Sequence, residues 1–169
     1  MPRPAPQDSV EFYHGYINHA KGNSIAEVMT NHAAELKRFY NSLPEEKEDY
    51  AYAEGKWTIK EVLQHVIDAE RVFSYRALRF ARKDATPLAS FDENHYTQHS
   101  NAKNRTLQSL KDELNALRSA TDIMLSTFNE EQLASKGTAS NSPITVNALA
   151  FIIYGHLLHH KKIIEERYL

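Results

Sequence analysis

His156 and His160 stand one helical turn apart in the C-terminal stretch Ile152-Ile153-Tyr154-Gly155-His156-Leu157-Leu158-His159-His160-Lys161-Lys162-Ile163-Ile164. At about 100° per residue, four residues along an α-helix return to within about 40° of the starting direction, so one divalent ion can be held by both imidazoles. Leu149, Ile152, Ile163 and Ile164 fall on nearly that same side, which turns the two rings toward the inside of a bundle. Burying both on one stripe costs stability unless each is satisfied, and a shared ion satisfies both. The competing reading is two unrelated core histidines. Spacing also leaves His159, three residues from His156, open as a ligand in place of His160.

Divalent metals take about four to six ligands, so at least a third must come from another helix. The chain has no Cys and nine His. That removes thiolate ligands, Cys nucleophiles and disulfides, and leaves His, Asp and Glu as the strong ligands. His32 and His65 both fall on helical segments, and either can supply the third imidazole. A single His on an apolar face is more often a hydrogen-bonded core residue.

The elements that must position these residues are marked by their starts. Ser24-Ile25-Ala26-Glu27 and Thr58-Ile59-Lys60-Glu61 are capping boxes that open helices predicted to about Leu43, where Pro44 closes the first, and to about Arg82. The first carries Ile25, Val28, Met29, His32, Leu36, Phe39 and Leu43 inward. The second carries Ile59, Val62, Leu63, Val66, Ala69, Phe73 and Phe80, with His65 at the edge of that sector. Leu107, Leu110, Leu114, Leu117, Thr121, Met124 and Phe128 alternate steps of three and four, the spacing of a helix packed along others. Thr145 caps the last helix, predicted to about Tyr168.

Four long amphipathic helices make an all-α four-helix bundle. Residues 24–169 form its single domain; residues 1–23 form an arm, extended at Pro2, Pro4 and Pro6, and a short helix over Glu11 to Ala20. Lys83 to Lys103 and Asn129 to Pro143 read as loops, and no alternating β-branched segment suggests a strand.

At 169 residues the chain buries enough surface to fold without a structural metal. A formal charge of −2 gives no electrostatic case for nucleic acid or an anionic membrane, and points to a small-molecule partner. The opening residues lack the apolar core of a signal peptide, and no run of 18 apolar residues occurs. A cytoplasmic location is the expectation.

Lys56-Trp57-Thr58-Ile59-Lys60-Glu61-Val62-Leu63-Gln64-His65-Val66-Ile67-Asp68-Ala69-Glu70-Arg71, then Tyr75-Arg76-Ala77-Leu78-Arg79, Ser90-Phe91-Asp92-Glu93, and Gly155-His156-Leu157-Leu158-His159-His160 together resemble the DinB superfamily, and within it the YfiT-like metal-dependent hydrolases. The resemblance covers nearly the whole chain from about Ser24. It implies a metal site between the second and fourth long helices with His65, His156 and His160 as ligands, leaving His32 and His159 outside the ligand set, and it suggests a homodimer. Members of the superfamily include thiol-dependent S-transferases and isomerases as well as hydrolases.

Three neutral imidazoles leave a divalent ion its full charge and at least one open position, the arrangement of catalytic rather than closed structural sites. Such an ion acidifies water for hydrolysis, or a low-molecular-weight thiol cosubstrate for S-transfer. Zn²⁺, Ni²⁺, Mn²⁺ and Fe²⁺ all accept imidazole. Glu61 and Asp68, four residues before and three after His65, can each orient that ring through its second nitrogen, with Asp68 preferred; the competing reading is that both are solvated charges or that Glu61 serves only the helix cap. Asp92, Glu93 and Asn94 can supply a general base from a loop, or form a charged surface turn. Arg71, Arg76, Arg79 and Arg82 read chiefly as surface ion pairs, with one substrate-anion binder among them as the alternative; Arg76 stands about three turns from His65 and near its face. Tyr13, Phe73, Tyr75 and Phe91 read as packing residues. A hydrolase of a small molecule leads; an S-transferase and a non-catalytic metal- or ligand-binding bundle are the alternatives.

Overall fold

The computed structural model describes residues 1–169. Its elements are α1 (His14–His19), α2 (Ile25–Asn41), α3 (Ile59–Ala81), α4 (Glu93–His99), α5 (Leu107–Ser126), α6 (Glu130–Ala134), the strands β1 (Lys136–Ala139) and β2 (Ser142–Thr145), and α7 (Val146–Arg167). Helices α2, α3, α5 and α7 are the four of the bundle.

Each begins where side-chain capping satisfies its free amides. The Thr58 hydroxyl accepts from the Glu61 amide at 3.2 Å while the Glu61 carboxylate accepts from the Thr58 amide at 2.8 Å, a closed capping box. Ser24 accepts from Glu27 at 3.2 Å, but the Glu27 carboxylate reaches one residue further back, to the Asn23 amide at 2.9 Å. Thr106 and Thr145 cap α5 and α7 in the same way, each accepting at 3.1 Å from the amide three residues on.

Helix α7 is the axis of the molecule. Every residue from Ile144 to Leu157 is buried, because α2 and α3 cover two sides and α1 covers a third. That covering needs Gly155. A Cβ there would stand 1.9 Å from the Tyr16 carbonyl oxygen, so only glycine lets the α1 backbone lie against α7. The N-terminal arm holds α1 in place: the Arg3 guanidinium donates to the carbonyls of Ile17, Ala20 and Gly22, at the end of α1. Asn147 on α7 donates to the Pro2 carbonyl at 2.8 Å.

Both expected loops contain more structure than their sequences signal. The first carries α4, whose N-cap Asp92 accepts from the His95 amide at 3.0 Å. The second holds α6 and a β1-β2 hairpin pairing Lys136 with Thr145 through Ala139 with Ser142. Its two-residue turn, Ser140-Asn141, has φ of 51° and 61°, the twist that a right-handed hairpin requires and that Asn-Gly usually supplies.

Candidate metal centre

His65 comes from the second turn of α3, and His156 and His160 from successive turns of α7. Their ring nitrogens all lie within 4.8 Å of one another, and no other His, Asp or Glu joins them at that distance. His156 Nε2 is 3.1 Å from His65 Nε2 and 3.1 Å from His160 Nε2. A neutral ring nitrogen carries either one proton or one lone pair, so hydrogen bonding between the rings leaves one of those two contacts without a regular bond. One divalent ion would accept all three lone pairs. At metal–nitrogen distances of about 2.0–2.1 Å, neighbouring ligand nitrogens stand about 2.9–3.4 Å apart for octahedral to tetrahedral angles. The observed spacing fits that range.

The surroundings keep the rings neutral. Burial pushes the His65 imidazole down to about 4 and His160 to about 3, and lowers His156 well below the usual range, with the neighbouring imidazoles adding to the shifts. An unfolded chain takes up protons on these rings near pH 6.5 while the folded metal-free protein does not, so acid favours unfolding. In chelator, the thermal midpoint of the protein should therefore fall as pH drops from about 6.5 toward about 4. His160→Ala should flatten part of that slope; an unchanged slope would contradict the burial of the ring as a neutral base.

The triad forms one wall of a cleft of about 320 Å³. Trp57 lies against His65 at 4.7 Å between ring centroids, Phe73 against His156 at 5.8 Å, and Tyr16 against both His156 and His159 at 5.4 and 5.2 Å. Tyr13 and Phe91 complete the aromatic lining. Tyr75, grouped with them on sequence, stands half exposed outside it.

The other candidate residues separate clearly, as follows from their bonds. The Asp68 carboxylate accepts from Gln64 at 2.9 Å and bonds to no imidazole; the charges that act on it are those of Arg71, Glu113 and Arg105. Glu61 belongs to its cap. Asp92 caps α4, whereas Glu93 and Asn94 reach the cleft. His32 accepts from the Lys21 amide at 3.0 Å and ties the α1–α2 connection. His159 is half-buried beside His19, their centroids 5.8 Å apart, and lines the cleft without joining the triad.

Arg71 and Arg79 pair with Glu113 and Asp84, as surface ion pairs should. Arg76 does not. It is 3 % exposed, has no carboxylate partner and lines the cleft together with Ser140. The periodicity of α3 put Arg76 near the His65 face, but its burial depends on a hairpin that the sequence does not announce.

The model of the DinB superfamily matches residues 29–164. The fold is similar to that of YfiT from Bacillus subtilis, with a TM-score of 0.72 and 20 % identity over 96 % of this chain and 89 % of that one. YfiT is described as a probable metal-dependent hydrolase with an unusual four-helix bundle topology. No curated protein matches the chain. With most of its length inside the family model and its four long helices in the matching arrangement, the chain belongs to the DinB superfamily.

Proposed function

We propose that the protein is a divalent-metal-dependent hydrolase of a small molecule, with His65, His156 and His160 as the ligands. The observation that carries this reading is the convergence of three buried, neutral imidazoles on one point in the wall of a cleft, with no fourth protein ligand beside them. A Zn²⁺, Ni²⁺, Mn²⁺ or Fe²⁺ ion held there supplies a Lewis-acid centre able to activate water or another nucleophile at an open position. The chain's own residues do the rest. Trp57, Phe73 and Tyr16 hold the imidazoles in place and limit the water around them. Glu93, at the cleft rim, is a carboxylate available to accept a proton.

The likeness to YfiT supports hydrolysis, the family resemblance supports a homodimer, and the apolar pattern of the sequence supports a cytoplasmic location. The test is a screen of esters and amides with chelated protein reloaded with each metal separately, with and without a low-molecular-weight thiol. Metal-dependent turnover without thiol is expected. Turnover only with thiol would move the assignment to S-transfer, and none with any metal would favour a binding protein.

A further inference from the structure

We infer that Arg76 is the binding residue for a terminal oxyanion, carboxylate or phosphoryl, carried by the substrate at the end of the cleft away from the metal ligands. This rests on the hydrolase reading of the same cleft. Arg76 is the one fully buried arginine in the protein. Burying a guanidinium without a counter-charge is costly, and such groups are normally paired. Here the protein provides only neutral acceptors: Nη2 donates to the Ala89 carbonyl at 2.8 Å and to Ser140 Oγ at 3.0 Å. The Phe91 ring adds a face 5.9 Å from the guanidinium carbon. Nε and Nη1 bond to no protein group, and the Ser140 hydroxyl, having accepted from Arg76, still has its own proton to donate.

These free donors belong to residues that line the cleft. The one carboxylate in its lining, Glu93, is exposed at the rim and makes no ion pair with Arg76. Eleven residues of α3 separate Arg76 from His65, roughly 16 Å along the axis, and helical side chains lean toward the N-terminus, so Arg76 leans back toward the triad. A substrate with its reactive group at the imidazoles and an anionic group at the other end spans that interval.

The probe is a series of ω-carboxyalkyl hydroxamates of increasing length, each with its methyl ester, titrated into Co²⁺-loaded protein and followed by the visible spectrum of the metal. At one length the acid should bind about tenfold or more tighter than its ester, the effect of a charge-assisted hydrogen-bonded pair. Arg76→Gln should bring the ratio to about one, and Ser140→Ala should reduce it. Because the ratio is read within one protein, general loosening of the loop by a substitution does not imitate the effect. Phosphonate-tailed analogues decide between carboxylate and phosphoryl. Spectral shifts with acid and ester equal at every length would overturn the anion site and leave the metal site standing. No spectral response to any hydroxamate, acetohydroxamate included, would remove the metal reading and this inference with it.

Discussion

His65→Ala and His160→Ala are each expected to abolish stoichiometric uptake of divalent metal, while His32→Ala and His159→Ala retain it. The triad offers three ring nitrogens, and no fourth His, Asp or Glu lies within 4.8 Å to replace a lost one. Removing one leaves two imidazoles, and the loss should exceed the roughly 10–100-fold cost of deleting an outer-shell partner. His32 makes its bond to the Lys21 amide, and His159 packs against His19, Tyr16 and the edge of His160 without adding a nitrogen to the converging three, so neither substitution removes a candidate ligand. Metal analysis after equilibrium dialysis checks this for all four variants. Equal loss in the four would mean that the ligand set is different.

Arg118→Ala should destabilise the fold by about 3–5 kcal/mol, the usual cost of leaving a buried partner charge uncompensated. Glu70 on α3 is 2 % exposed and its carboxylate accepts from Arg118 on α5 at 3.0 Å. Arg118 also pairs with Asp122, and its guanidinium carbon lies 4.4 Å from the centre of the Tyr154 ring, whose hydroxyl donates to Asp122 at 2.8 Å. The network thus links α3, α5 and α7. Burial already pushes the Glu70 carboxyl up against the pull of Arg118. Without the guanidinium Glu70 would protonate more readily, so the deficit of the variant should shrink as pH falls. Combining Arg118→Met with Glu70→Leu should recover much of the loss. Denaturant midpoints at constant m-value measure both, and a deficit below about 1 kcal/mol for Arg118→Ala would show the pair to be solvated.

How much of this was legible in the sequence follows the range of the interactions. Ser24, Thr58 and Thr145 announce three of the four long helices because a cap acts within one turn, and all three cap in the structure; α5 is announced by its three-and-four spacing instead. The one-turn spacing of His156 and His160 is likewise local. His65 came from the family resemblance alone, since no periodicity chooses between it and His32. The burial of α7 on every side was less legible because it depends on α1, which packs there through the missing Cβ of Gly155. The hairpin was invisible for a similar reason: Ser140-Asn141 adopts positive φ without glycine. That turn brings Ser140 to Arg76, so without the hairpin the surface-pair reading of this arginine outweighs the anion-binding one.

The central claim is an open three-histidine metal site, and X-ray absorption spectroscopy of protein reconstituted with one divalent metal tests it most directly. The expected result is one ion per chain with three imidazole nitrogens, two of them lost together with the ion's tight binding in a His156→Ala/His160→Ala variant, and at least one position held by exchangeable solvent. An ion saturated by protein ligands, or no bound ion after reconstitution, would contradict it.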